Sequence, residues 1–411
     1  AAKMEADADA WAALVSAEGG KPPAFAAVEV GRALELLRLG AAVARTRRPG
    51  YLGATEATDS GIGWRSAVVH EPVRSVLAIT PFNFPLNLVL HKVVPALVAG
   101  APCIVKPAEK TPLSALAAQQ LLQESMDLPP GLLQTLPLSL ESTQQLLASE
   151  DVAVVSFTGS SSVGWSLRQT ANPRANILLE LGGNAAVVVA SSLPSSATVA
   201  SVVAEVGAAA FGHAGQSCIA VQSAFVHESC YAEFVRDMTN LTSSLVAGEG
   251  IVGPMVDEAA ACRVDEWLDE AAAVPGIVIR HRGSRNGSFL NPSIVEVAAS
   301  VDRSSCRLLR DEVFGPVILV TPYSSLPAVI RQLNESDHGL QVGIYSASQE
   351  ETALFKEAVH CGGVVVGGVP TVRVDSLPYG GVKHSGRGRE GIEVAVEEFS
   401  EEKVILDRMY W

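Results

Sequence analysis

The chain has 411 residues, 48% of them hydrophobic and 5% aromatic, a length that calls for two or three domains and a balance that suits α/β layers around buried parallel strands. Its 30 Lys and Arg face 44 Asp and Glu, a net charge of -14 with no compensating basic cluster, which excludes nucleic acid as an expected partner. The longest uncharged run, Leu181 to Ala204, is broken by Asn184, Pro194 and five serines, and the N-terminus lacks a basic-then-apolar pattern, so neither a membrane partner nor secretion is expected.

The opening stretch AAKMEADADAWAALVSAEGG begins inside a helical pattern, as a fragment would, and helical spacing continues to about residue 45 through ALELLRLGAAVA. The next stretch, TRRPGYLGATEATDSGIGWRSAVVHEPV, is polar, glycine-rich and alternating, and reads as an extended arm or hairpin. From Ser75 the pattern becomes strand, turn, helix. SVLAIT, PFNFP and the amphipathic helix LNLVLHKVVPALVA come first, stopped by Gly100. PCIVK and LSALAAQQLLQE follow, then VAVVSFTGS, VGWSLRQTA and NILLELGG. This alternation predicts a parallel, doubly wound sheet with its ligand at the carboxyl ends of the strands. A second alternating block spans about Asn184 to Lys383, with strands expected at AAVVVA, SAFVH, GIVIR, GPVILVT and VGIYSA. The tail EEKVILDRMYW is an alternating strand without a sequence neighbour, expected to pair with the arm or with another subunit.

Six cysteines are scattered without CxxC or His-paired spacing, so no metal site and no disulfide framework is expected, which favours a reducing cytoplasm. Only Cys218, in AFGHAGQSCIAVQ, lies in a glycine-bearing turn; it reads either as a buried thiol or as a nucleophile. No GxGxxG is present. SFTGSSSVG instead offers Ser160 and backbone N–H groups at a helix start as a phosphate cradle, although the same pattern also occurs without a ligand. Lys106 and Glu109 stand at the end of the neighbouring strand, either to hold a ribose or as a solvated pair capping the helix at Thr111. Glu180, between two leucines, reads as a base with a raised pKa or as a strand-end carboxylate in water. Asn83, between Pro81 and Pro85, reads as an oxyanion donor or a turn asparagine.

Taken in order, PFNFP, KPAEKTP, FTGSSSVG, LELGGN, GQSC, EVFGP and PYGGVKHSG closely resemble the NAD(P)-dependent aldehyde dehydrogenase superfamily, from about Glu18 to Val404. The resemblance implies a Rossmann-like cofactor domain (1–45 and 70–182, with a return segment 384–397), an α/β catalytic domain (183–383), and an oligomerisation arm and strand (46–69 and 398–411) that join a homodimer or homotetramer. It implies Cys218 as nucleophile, Asn83 and the Cys218 N–H as oxyanion donors, and Glu180 as the base that hydrolyses a thioester. NAD, or NADP, is implied to rest on Thr80, Pro81, Lys106, Glu109, Gly159, Ser160, Val163, Gly182, Glu312 and Phe314. The run VPTVRVDSLPYGGVK resembles the lactaldehyde and phosphonoacetaldehyde dehydrogenase branch and points to a small polar or anionic aldehyde. His91 and Arg373 are candidates to meet the tail of such a substrate, against the alternatives of a helix-face histidine and a structural ion pair.

Against that family pattern, a further N-terminal segment is missing, Phe82 replaces a common Trp, Ala186 replaces a proline, and the loop AGEGIV is short. The rival expectations are a CoA-acylating relative, against which Glu180 argues, and an inactive structural relative, against which the retained Cys218, Glu180 and Asn83 argue.

Overall fold

The computed structural model describes residues 1–409. Two sheets and a three-stranded arm organise the chain. The first sheet has six strands, in the order Gly386–Arg387, Asn176–Glu180, Val154–Thr158, Val76–Ile79, Cys103–Lys106 and Leu133–Thr135. All run parallel except the edge strand Gly386–Arg387, which pairs antiparallel with Asn176–Glu180. Its interior strands carry apolar residues on both faces because helices cover both sides, as a parallel sheet requires. Strand order reverses between Val76–Ile79 and Val154–Thr158, which opens a crevice at their carboxyl ends.

The second sheet has seven strands, in the order Ile277–His281, Ser293–Val297, Val317–Tyr323, Ser223–His227, Ala186–Val189, Gln341–Tyr345 and Gly363–Val366. GIVIR forms its antiparallel edge. Leu133–Thr135, Ser293–Val297 and Gly363–Val366 had no strand expectation: the first is three residues long, the second is interrupted by Glu296, and the third lies between glycines.

The arm pairs Gly50–Gly53 with Trp64–Pro72, and Trp64–Pro72 with Ser400–Arg408, all antiparallel. The C-terminal strand therefore finds its partner within the chain, and the arm runs to Pro72, past the expected boundary at residue 69, because its register continues to Ser400. Tyr410 and Trp411 of the expected strand lie outside the described residues. Val404, Ile405 and Leu406 remain exposed on it.

Helix Asn87–Ala99 departs from its amphipathic expectation: residues 87–96 are all buried, polar ones included. It lies between the first sheet, helix Pro23–Thr46 and helix Ile392–Glu398, so no face reaches water. Gly100 ends it as expected, in a left-handed conformation at φ 82°. Among the described residues, no helix is long and apolar enough to cross a membrane.

Candidate active site

Asn83 is positioned from the N-terminal helices. Glu29, on helix Pro23–Thr46, accepts the N–H groups of Leu86 (2.9 Å) and Asn87 (3.0 Å), capping the helix that follows the PFNFP turn. An anion there satisfies otherwise orphaned donors and complements the helix dipole. Glu29 is itself ion-paired with buried Lys21, whose ammonium lies 3.8 Å from the centre of the Phe84 ring. The turn is thus clamped from below and above. Asn83 within it is buried, and its Nδ2 donates to the Gln216 carbonyl at 2.9 Å while Oδ1 has no partner among the described residues. A plain turn asparagine would bond its own backbone; this one reaches the loop that carries Cys218.

That loop leaves helix Val199–Phe211 through an unusual turn. His213, Ala214 and Gly215 all adopt positive φ, at 51°, 55° and 69°. Two non-glycine residues in this region cost roughly 1–3 kcal/mol each, so the surroundings must hold them. The Gln216 side chain does so, donating to the carbonyls of His213 (3.2 Å) and Pro254 (3.0 Å) and accepting the Val256 N–H (2.7 Å). Gly215 has no room for a side chain, because a Cβ would collide with the Gly315 carbonyl. Cys218 follows, half-buried, with Sγ 3.1 Å from the Tyr379 hydroxyl. Burial pushes the thiol up to about 11; the Tyr379 bond and Arg373 work against that shift, and Glu312 and Glu180 add to it.

Glu180 ends strand Asn176–Glu180 and is buried, which rejects the reading of a strand-end carboxylate in water. Its Oε2 has no partner among the described residues. Burial first, and the nearby Glu390 second, hold its carboxyl well above the usual range despite Lys92, Arg373 and Arg389. Gly380, next to Tyr379, is bare because a Cβ there would lie 2.7 Å from Glu180 Oε1, so Glu180 and the Cys218–Tyr379 pair share one neighbourhood.

The expected cofactor residues gather along the carboxyl edge of the first sheet. The register sets Ile79 beside both Lys106 and Phe157, and Thr158 beside Glu180, so Thr80, Pro81, Lys106, Gly159 and Glu180 fall on one rim. Ser160 starts helix Ser161–Thr170, its hydroxyl making no capping bond, and Val163 is exposed on the first turn. Lys106 lies 3.7 Å from Glu109, whose side chain is 72% exposed. The pair does not cap the following helix; Glu18 does, accepting from Leu113 (2.8 Å) and Ser114 (3.0 Å). On the facing side, Glu312 accepts the Gly183 N–H at 3.0 Å, and a side chain at Gly182 would collide with its carboxylate. Burial raises Glu312 to about 7. Phe314, at φ 44°, meets Phe82 edge-on with ring centres 5.9 Å apart. The buried Thr158 Oγ1 beside Gly159 has no partner among the described residues. An open helix N-terminus, the Thr158 and Ser160 hydroxyls and a lysine on one rim fit a phosphate-bearing dinucleotide.

Arg373 stacks over the Tyr379 ring, 4.0 Å from its centre, with His91 against it. Both side chains are buried, with Arg373 Nη2 2.9 Å from His91 Nε2 and donating to Glu390 Oε2 at 2.8 Å. Arg373 Nε lies 3.1 Å from Asp375, which also pairs with Arg32 at 2.6 Å. Arg373 forms the structural ion pair of the two alternatives, its charge met by Asp375 and Glu390, while burial first and Arg373 second lower the pKa of His91 and keep its imidazole neutral. Sequence reading missed Tyr379, Lys92 and Glu390. Tyr379 lay within the quoted PYGGVKHSG, but nothing local marks a tyrosine that will meet a cysteine 161 positions away.

The model of the "Aldehyde dehydrogenase family" matches residues 1–405. The chain is 37% identical over 402 residues to 3-sulfolactaldehyde dehydrogenase of Priestia aryabhattai, covering 96% of this chain and 82% of that protein. Its structure resembles that of aldehyde dehydrogenase 21 from Physcomitrella patens in complex with the reaction product succinate, with a TM-score of 0.92, 32% identity, and coverage of 99% of this chain and 84% of the other. It also resembles glyceraldehyde-3-phosphate dehydrogenase from Methanocaldococcus jannaschii complexed with NADP, with a TM-score of 0.90, 30% identity, and coverage of 99% and 87%. The chain belongs to the aldehyde dehydrogenase family and is an aldehyde-oxidising oxidoreductase.

Proposed function

We propose that the chain oxidises a small polar or anionic aldehyde to its carboxylic acid on Cys218, with NAD or NADP as oxidant. The observation that carries this reading is the 2.9 Å bond from Asn83, on the first sheet's turn, to the Gln216 carbonyl of the cysteine loop, since it holds an amide donor beside the nucleophile. The Cys218 thiolate attacks the carbonyl carbon, forming a carbon–sulfur bond and an alkoxide. The remaining Asn83 N–H and the Cys218 backbone N–H donate to that alkoxide. The cofactor, when bound on Thr80, Pro81, Lys106, Glu109, Gly159, Ser160, Val163, Gly182, Glu312 and Phe314, supplies the hydride acceptor. A thioester on Cys218 remains. Glu180 takes a proton from water, the resulting hydroxide adds to the thioester carbonyl, and the carbon–sulfur bond breaks to release the acid and the thiolate. The raised pKa of Glu180 suits a base working near neutral pH.

The similarity to a 3-sulfolactaldehyde dehydrogenase, to an aldehyde dehydrogenase holding succinate and to a glyceraldehyde-3-phosphate dehydrogenase supports an aldehyde with a charged or hydroxylated tail. The six-stranded sheet (1–45, 73–182 and 384–397) serves as the cofactor domain and residues 183–383 as the catalytic domain. The arm (46–72 and 398–409), with its exposed Val404, Ile405 and Leu406, joins a homodimer or homotetramer in the cytoplasm.

Cys218→Ser tests the reading. Formation of reduced cofactor with a panel of lactaldehyde, succinic semialdehyde and phosphonoacetaldehyde, run with each cofactor, falls by at least about a thousandfold. Retained turnover overturns the mechanism, and a requirement for coenzyme A moves the chain to the acylating class.

A further inference from the structure

The thiol that the proposed reaction needs as an anion is held up to about 11 by burial, so the site requires something that favours the thiolate. Four ionisable groups act on it: Glu312 and Glu180, which disfavour the anion, and Arg373 and Tyr379, which favour it. Of these only Tyr379 touches the sulfur, at 3.1 Å. Its hydroxyl has no other hydrogen-bond partner among the described residues, and Tyr379 is buried with Ile219 and Leu340 around it. With a neutral thiol, either partner can donate. With a thiolate the sulfur has no proton, so only the phenol can donate, and the bond becomes charge-assisted.

The ring is itself fixed. The Arg373 guanidinium stacks over it, 4.0 Å from the ring centre, and Arg373 is pinned by Glu390, Asp375 and His91. The Tyr379 backbone exchanges both hydrogen bonds with Glu390, at 2.7 and 2.6 Å. The buried network of His91 and Arg373 thereby ends at the nucleophile through one aromatic ring.

Resting on the reading of Cys218 as nucleophile, we propose that Tyr379 is a further catalytic residue, whose hydroxyl donates to the Cys218 sulfur and stabilises the thiolate, and that Arg373 is the positioning residue that aims it. Tyr379→Phe keeps the ring between Arg373 and Leu340 and removes only the donor. The readout is the pH dependence of Cys218 alkylation by iodoacetamide, followed on the Cys218 peptide by mass spectrometry, with no aldehyde or cofactor present. The midpoint rises by about one unit in Tyr379→Phe, a tenfold smaller thiolate fraction below the midpoint. An unchanged or lowered midpoint overturns the proposal, even if alkylation slows uniformly. A second arm replaces tyrosine throughout with 3-fluorotyrosine, a stronger donor. The midpoint falls in the otherwise native protein and stays put in Tyr379→Phe; equal shifts in both overturn the proposal. Because alkylation needs no turnover, these outcomes are independent of whether Cys218→Ser abolishes oxidation.

Discussion

The two halves of the site are built differently. Along the rim of the first sheet, Ser160, Val163 and Glu109 are exposed and hold few or no bonds to the rest of the chain. Around Cys218, by contrast, Asn83, Tyr379 and the side chain of Arg373 are buried and tied to residues far apart in sequence, with Glu180 buried beside them. An exposed group costs little to leave unpaired because water satisfies it, so a rim that exchanges a soluble cofactor can stay open. A buried group finds its partner in the protein, which is how Asn83 and Tyr379 come to be held against the Cys218 loop.

Breaking the clamp under the buried half has the largest expected effect on stability. Lys21→Met leaves the Glu29 carboxylate buried without its cation, and urea unfolding should show a loss of about 3–5 kcal/mol. Wild-type stability in that variant removes Lys21–Glu29 from the account of how Asn83 is held. Asn83→Ala comes next: kcat falls by roughly 100- to 1,000-fold with the fold retained, as for other side-chain oxyanion donors. A change in KM alone points instead to simple substrate contact.

The carboxyl pair sharpens the comparison through pH. Burial pushes both Glu180 and Glu390 toward the neutral acid, yet His91, Arg373 and Lys92 overcome it at Glu390 and hold that group down to about 2, while Glu180 stays raised. A depressed carboxyl adds stability above its unfolded pKa and loses it as the pH falls through the folded one. Glu390→Gln therefore lowers the melting temperature most above pH 4.5, and the gap to wild type closes as the pH falls toward 2. Glu180 has the opposite sign, since a raised carboxyl costs stability as pH rises. Glu180→Gln should melt no lower than wild type, and should gain on it with increasing pH, while giving a burst of reduced cofactor and then a slow steady state. A gap for Glu390→Gln that is constant with pH contradicts the opposed ionisation of the two groups.

The smallest effect belongs to the rim. Ser160→Ala and Glu109→Ala change the cofactor KM by a few-fold, the scale of one exposed hydrogen bond, and leave the melting temperature unmoved. A clear drop in stability for either would place it with the buried half after all.

Sequence order alone carried much of the architecture. Alternating apolar runs and turns identify a parallel sheet from Ser75 onward, because strands buried on both faces must be apolar throughout, as SVLAI and AVVV are. Gly100 and the arm were equally legible, the first because glycine takes the left-handed conformation that ends a helix without steric cost, the second because its polar, alternating, glycine-bearing run suits extended backbone and turns. Cys218, Asn83 and Glu180 were each ambiguous one by one; their ordered motifs, not their local chemistry, singled them out. The all-round burial of helix Asn87–Ala99 and the short strands stayed hidden, because both depend on what packs against them rather than on their own pattern.

What the sequence determined by itself was therefore the set of elements and the residue types at their ends, which follow from local sterics and hydrophobic period. Only the tertiary structure decided which groups meet. Glu18 rather than Glu109 caps a helix, buried His91 meets Asp375 and Arg373, and Tyr379 arrives at the Cys218 sulfur. Each of these contacts joins segments that are remote in the chain. Electrostatics and hydrogen bonding act over a few ångströms in space, whatever the distance along the sequence.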